Sequence, residues 1–213
     1  MDGSAIASAD CGGREVDVMK WIWVRHGQTD MNASGKYLGH YDAFLNQEGS
    51  RQAEAAAQQL ATVHFQHFYC SDLTRCTQTA AIVGAAHGKS ASPVPALREL
   101  HFGEWEGRTY DEVLEMDAER LKQWYARPHL ISPPGGEMLR HLQQRVDGWL
   151  NWLKCGMKQD ETAVLVSHGG PIRWFEAKWL EGDAAAFWKV EGVRHGRILA
   201  AEWDGHTWRA ERL

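Results

Sequence analysis

Two stretches of this chain, Trp21-Ile22-Trp23-Val24 and Ala163-Val164-Leu165-Val166, are apolar at every position, with no polar residue alternating into either. Branched and aromatic side chains in such runs favour strands, and a strand without a polar face has to be covered on both sides. A sheet buried on both faces is mostly parallel, and its crossovers are helices.

The rest of the chain supplies those crossovers. Asn46 can cap a helix through "QEGSRQAEAAAQQLA", and "HFYC" (67–70) reads as a short strand. Ser71 or Asp72 can cap the helix in "LTRCTQTAAIVGAA", and residues 93–97 are expected to add a short strand running into a loop. Thr109-x-x-Glu112 is a capping box opening a helix near "YDEVLEMD". After the turn-rich "SPPGGE", Met138, Leu142, Val146, Trp149, Leu150 and Leu153 form one helical stripe. Pro171 falls where the first turn of a helix tolerates it, and "RILAAEW" and "TWRAERL" read as closing strands about "DGH". The pattern predicts one α/β domain over residues 19–213, a three-layer sandwich with a mostly parallel sheet and helices on both faces. Residues 1–18 lack a basic start and an apolar stretch, so they predict a flexible N-terminal extension and no signal peptide.

Composition narrows the function classes. A length of 213 residues suits one well-buried domain, and a net charge of −5 leaves no basic surplus for nucleic acid. An anionic substrate must therefore be held by local cations against the overall field. No apolar run has the length of a membrane span. Cys11, Cys70, Cys76 and Cys155 are too scattered for a disulfide framework or a zinc site and fit reduced thiols in the cytoplasm. Eleven tryptophans are expected mostly in the core, with a few left to line an aromatic pocket. Nothing in the sequence sets an oligomeric state.

Sites in such sheets form outside the carboxyl ends of strands. Both apolar strands end alike, in Val24-Arg25-His26-Gly27 and in Val166-Ser167-His168-Gly169-Gly170. Glycine after each histidine lets backbone N–H groups approach a ligand, and the second leads into a helix N-terminus suited to an anion. Most of the eleven histidines need no functional reading; His64 and His67 are expected at the surface near a strand start, not as metal ligands. Two in matching strand-end contexts, one beside an arginine, are a different matter. Arg75, in the opening turn after "HFYC", can lean back over the same edge. Glu99, Glu104 and Glu106 surround a Gly-rich turn, where one of them could donate a proton.

Taken in order, Arg25-His26-Gly27-Gln28-Thr29, Asn32, Ser71-Asp72-Leu73-x-Arg75, Glu99 and Ser167-His168-Gly169 resemble the signature of the histidine phosphatase superfamily, the phosphoglycerate-mutase-like proteins. The resemblance runs from Lys20 onward and implies a small helical cap over the sheet edge. It implies a metal-independent phosphomonoesterase with no cofactor. His26 would be the nucleophile that becomes a phosphohistidine, its other nitrogen donating to a backbone carbonyl. Arg25, Arg75 and a His168 held protonated by the bound dianion would neutralise the phosphoryl group, with Asn32 and Gly169 among the binding residues. Glu99 would be the proton donor, Glu104 the second choice and Glu106 structural. Leu38 stands where many relatives have glutamine, which removes one phosphate donor. "FGEWEGRTYDEV" and "PPGGE" followed by Arg145-Val146 are similar to α-ribazole-phosphate phosphatases, and "MDAERLKQWYARPHL" to broad-specificity bacterial phosphatases. The expected partner is a small phosphomonoester, α-ribazole 5′-phosphate, adenosylcobalamin 5′-phosphate or a range of others, with Phe102, Trp105, Trp124 and Tyr125 as an aromatic wall. The competing readings are a cofactor-dependent phosphoglycerate mutase and a non-catalytic module that binds phosphate ligands.

Overall fold

The computed structural model describes residues 18–211. Apart from Val18, the expected N-terminal extension, Cys11 included, lies outside them, as do the last two residues of the expected final strand.

Six strands form one sheet: β1 (Met19–Arg25), β2 (His67–Cys70), β3 (Ser92–Pro93), β4 (Thr162–Ser167), β5 (Ile198–Trp203) and β6 (Trp208–Glu211), in the order β3-β2-β4-β1-β5-β6. The first four are mutually parallel, whereas β5 runs antiparallel to β1 and β6 antiparallel to β5. The two apolar strands are neighbours, with Val24 opposite Val166 and Arg25 opposite Ser167.

Their lack of a polar face follows from what covers them. Trp21, Trp23, Ala163 and Leu165 point into one core with Leu142, Val146, Leu150 and Leu153 of α5 (Leu139–Gly156) and Ile172 and Phe175 of α6 (Gly169–Phe175). The alternate residues Ile22, Val24, Val164 and Val166 point into a second core with Ala56 and Leu60 of α2 (after the short α1, Asp30–Ala33; α2 is Gln47–Leu60) and Ala80 and Val83 of α3 (Thr74–Ala85). Trp21 and Trp23 are wholly buried, and truncating a tryptophan so placed costs about 3–5 kcal/mol.

Local chemistry sets the element ends. Asn46 caps α2, its Oδ1 accepting from the Gly49 N–H at 2.8 Å. The first turn of α3 is not capped by Ser71 or Asp72 as expected. Asp42, arriving from the preceding loop, accepts from both the N–H and the hydroxyl of Thr74. Ser71 and Asp72 have other partners, His168 and Arg98 respectively. The strand expected at 93–97 pairs only at Ser92 and Pro93, then tightens into a 3₁₀ turn at Pro95–Leu97. Pro93 and Pro95 have no N–H to extend a ladder. The capping box of Thr109 and Glu112 opens α4 (Tyr110–Ala126), which kinks at Asp117. With a 3₁₀ turn at Ala184–Trp188, α4 forms the cap: the Trp124 and Trp188 rings meet edge to face at 5.4 Å.

Candidate active site

The carboxyl ends of β1 and β4, side by side, bring His26 and His168 together, their ring centroids 5.0 Å apart. Both are buried. His26 Nδ1 lies 2.7 Å from the Gly27 carbonyl, to which it can only donate. The ring is therefore fixed with its proton on Nδ1 and a free electron pair on Nε2. Burial, then the positive charges of Arg75 and Arg25, push its pKa well below the ordinary histidine value. His26 is a neutral base facing two guanidiniums.

Gly27 is glycine for a different reason from the one expected. A Cβ there would run into the backbone of Gly49 in the first turn of α2, and one at Gly49 would run into Gln28. The two glycines let the end of β1 cross α2 at backbone contact, while the Gly27 N–H donates to Thr79 Oγ1 at 3.1 Å. It is chain crossing that uses the missing side chain, and the N–H is already taken.

Arg75 is fully buried, and its guanidinium donates to the Gly39 and Tyr41 carbonyls at 2.7 and 2.9 Å and through Nε to His168 Nδ1 at 3.2 Å. An acceptor at Nδ1 places the His168 proton on Nε2, which donates to Ser71 Oγ at 2.8 Å. Burial first and Arg75 second drive the His168 pKa well down, so in this structure His168 is neutral. Leu38, part of the loop whose Gly39 and Tyr41 carbonyls fix Arg75, is buried.

Arg25 donates to the Val193 carbonyl at 2.8 Å and to His195 Nε2 at 3.1 Å. His195 was missed in reading the sequence. Its ring lies 5.3 Å from that of His26, and burial together with Arg25 lowers its pKa to about 3, leaving it a permanent acceptor for the arginine. The signal was present: Val193-Arg194-His195-Gly196 repeats the tetrapeptide Val24-Arg25-His26-Gly27. It precedes a strand instead of following one. Because β5 is antiparallel, its beginning lies at the same edge as the end of β1.

The acidic loop resolves into three distinct roles. Glu106 accepts from the His40 and Phe102 N–H groups at 2.7 and 3.0 Å and braces the turn, as expected. Glu104 is exposed. Glu99 accepts from the Gly170 N–H at 3.0 Å and from its neighbour Leu100 at 2.9 Å. The group seated at the start of α6 is thus the Glu99 carboxyl itself. Gly170 permits this seat, because a Cβ would fall 2.1 Å from Glu99 Oε1, and Gly169 lies against the Arg25 guanidinium. The Glu99 backbone is tied down by His40 and by Arg145, which also grips the Ala96 and Arg98 carbonyls and forks onto Glu137. Arg98 adds a second anchor through Asp72 at 2.7 Å.

Asn32 turns its Oδ1 inward to accept from the N–H and hydroxyl of Thr29, at 3.1 and 3.0 Å, as half of a capping box. Its Nδ2 remains its donor group. Of the expected aromatic wall, Phe102 and Trp124 do line a cavity of about 160 Å³ beside Glu99, together with Leu139, Phe187, Trp188 and Arg173. Trp105 does not. It is wholly buried behind Trp124, ring centroids 5.7 Å apart, because the cap helix needs a large side chain to pack it onto the loop. Tyr125 is exposed and shares a hydroxyl contact with Tyr37. His67, expected at the surface, is half-buried and pairs with Glu161 at 2.8 Å. Among the described residues, Cys70, Cys76 and Cys155 are free thiols and no helix is long and apolar enough to cross a membrane.

Two imidazoles flanked by one buried and one partly buried guanidinium, with a carboxyl group at the edge of a small cavity, are equipment for handling a phosphoryl group. The family model described as the histidine phosphatase superfamily, branch 1, matches residues 21–213, and the chain belongs to that family. It is 32% identical over 171 residues to phosphoserine phosphatase 1 of Hydrogenobacter thermophilus, covering 80% of this chain and 81% of that protein. It is 30% identical over 184 residues to the adenosylcobalamin/alpha-ribazole phosphatase of Salmonella typhimurium, covering 86% and 87%. Among solved structures, the alpha-ribazole phosphatase from Shigella flexneri superposes with a TM-score of 0.84 at 28% identity, over 92% of this chain and 96% of that one.

Proposed function

We propose that this phosphatase hydrolyses small phosphomonoesters without a metal, through a phosphohistidine on His26. The observation that carries the reading is the fixed tautomer of His26, whose Nδ1–H is committed to Gly27 and whose Nε2 faces the arginines as a neutral nucleophile.

The ester dianion is held by Arg25 and Arg75, each with a planar fork of donors, and by Asn32 Nδ2. A dianion beside His168 opposes the charge of Arg75 and draws the Arg75 Nε–H away from Nδ1, which frees that nitrogen to take a proton so that the ring serves as a third cation. The same dianion favours the protonated form of the nearby Glu99 carboxyl, which therefore carries a proton when the ester is bound. His26 Nε2 attacks phosphorus, the ester P–O bond breaks, and the departing oxygen takes that proton from Glu99. Water, giving its proton back to Glu99, then attacks the phosphohistidine and releases phosphate. Since the phosphoryl group passes through a loose transition state, positioning and charge neutralisation carry most of the rate.

The 160 Å³ cavity beside Glu99 receives the leaving group. It is below the ~300–1,000 Å³ usual for drug-sized ligands. Its aromatic lining suits one flat ring or a short chain. This favours α-ribazole 5′-phosphate and other compact esters over adenosylcobalamin 5′-phosphate, whose corrinoid would lie outside. The free thiols fit a cytoplasmic setting.

The test is a phosphate-release screen with and without chelator, over α-ribazole 5′-phosphate, phosphoserine and 3-phosphoglycerate. We expect hydrolysis that chelation leaves intact. Dominant phosphoryl transfer between positions of 3-phosphoglycerate would make the protein a mutase, and binding without turnover would make it a phosphate-binding module.

A further inference from the structure

On the β5 side of the site lies a second cavity, about 580 Å³, that the proposed chemistry leaves unused. Its floor is Arg25 and His195, and around it stand Arg51 from α2 with Arg194 and Arg197 from the segment before β5. Glu48 is the one acid in the lining, and it is already paired with Arg51 at 2.8 Å. Arg194 and Arg197 are exposed, and their guanidiniums make no ion pair or hydrogen bond among the described residues. Arg25 adds a buried Nε with no partner.

Four guanidiniums facing one hollow repel each other, and on a chain of net charge −5 this concentration is local and not a general surplus. An anion in the hollow removes the repulsion and meets forks shaped for tetrahedral oxyanions. We propose that this cavity is a second anion site, selective for phosphate-class oxyanions. Arg25 borders both sites, so an occupant there competes with the reaction centre for the same guanidinium. The oxyanion has two sources: a free phosphate or pyrophosphate acting as an inhibitor, or a second phosphate on the substrate.

Calorimetric titration with pyrophosphate and with inorganic phosphate decides whether the site exists. The wild-type chain should bind two anions, and the variant carrying Arg194→Ala and Arg197→Ala one. Each arginine removed should weaken the second event about ten-fold. Both side chains are exposed, so thermal melting should be unchanged and will verify the fold. A single event in the wild type, or two undiminished events in the variant, overturns the proposal. Kinetics then separates the sources. With a free anion, inhibition of 4-nitrophenyl phosphate hydrolysis by phosphate should change from mixed to purely competitive in the variant. With a substrate phosphate, the variant should lose a KM advantage for glucose 1,6-bisphosphate over glucose 6-phosphate. This kinetic arm rests on the phosphatase reading, whereas calorimetry does not. Two anions bound by a protein without turnover would sink that reading and keep this one.

Discussion

Replacing Gly170 by alanine tests the seat of Glu99 without touching the carboxylate itself. The Gly170 N–H holds both Glu99 oxygens, at 3.0 and 3.1 Å. An added methyl would lie 2.1 Å from Oε1 and 3.2 Å from Leu142 Cδ1, a buried core atom with nowhere to go. The carboxylate must give way, from 2.1 Å to the 3.4 Å where ordinary contact begins, a shift of about 1.3 Å (3.4 − 2.1). Displacement of a reacting group by about 1 Å costs on the order of 10²-fold in rate. The loss should fall on substrates whose leaving oxygen needs a proton. Single-turnover phosphorylation of His26 should slow about 10²-fold with an alkyl phosphate, and only a few-fold with 4-nitrophenyl phosphate, whose phenolate departs unaided. The backbone at Gly170 is not left-handed, so the cost to the fold is the crowding against Leu142 and the lost Glu99 hydrogen bonds, on the order of 1–3 kcal/mol, and the melting temperature should fall by a few degrees with the fold intact. Equal losses on both esters would mean that the methyl disturbs the phosphoryl cradle instead. No loss on either would remove Glu99 from the chemistry.

Four further outcomes follow from the geometry. His26→Ala should abolish turnover, and brief exposure of the wild type to substrate should leave acid-labile phosphate on His26; retained activity in the variant rules out the covalent route. Glu99→Gln should show a leaving-group dependence of about 10²-fold or more and Glu104→Gln none, and a reversal of that pattern would reassign the acid to Glu104. Arg145→Lys loses the fork onto Glu137 and the grip on three carbonyls, so the fold should weaken by on the order of 2 kcal/mol in urea titration, and an unchanged midpoint would show that the loop holds itself. His26, His168 and His195 are neutral in the fold with lowered pKa values, chiefly through burial, while unfolded each takes a proton near pH 6.5. Below that pH the unfolded chain binds more protons. Stability is therefore full above about 6.5 and falls by up to about 1.4 kcal/mol per unit for each histidine as the pH drops, for His195 until about 3. Urea midpoints of His195→Asn against pH should show a shallower acid limb, and an unchanged one would show that His195 does not titrate with unfolding.

What the sequence could reveal was whatever depends on order along one strand or one helix turn. The apolar runs of β1 and β4 announced a sheet covered on both faces, and the two His-Gly endings marked its working edge. Contacts between distant segments were hidden. Nothing near Thr74 says that Asp42 will cap it, because a capping carboxylate from a loop obeys no local spacing. Trp105 and Trp124 look alike as residues, yet one faces the cavity and the other backs it, a difference set by how α4 docks. His195 stood in a repeated tetrapeptide and was overlooked because strand-end reasoning looks only downstream of a strand. In a mixed sheet, the segment upstream of an antiparallel strand reaches the same rim.

That antiparallel β5 also decides when the site can come into being. β1 pairs with β4 at a sequence distance of 142 residues (Lys20 to Thr162) and with β5 at 182 (Lys20 to Glu202). Contacts this remote close large loops and place the chain among slow folders, so β1 must await partners made long after it. On a ribosome, the nascent chain carries Arg25, His26, Arg75 and His168 well before β5 has emerged. Until then one edge of β1 is a bare, tryptophan-rich ladder, open to pairing with other chains. β5 and the segment before it both close that hazard and supply the Val193 carbonyl and the imidazole that set Arg25. Competence to react and protection from aggregation arrive together, with β5.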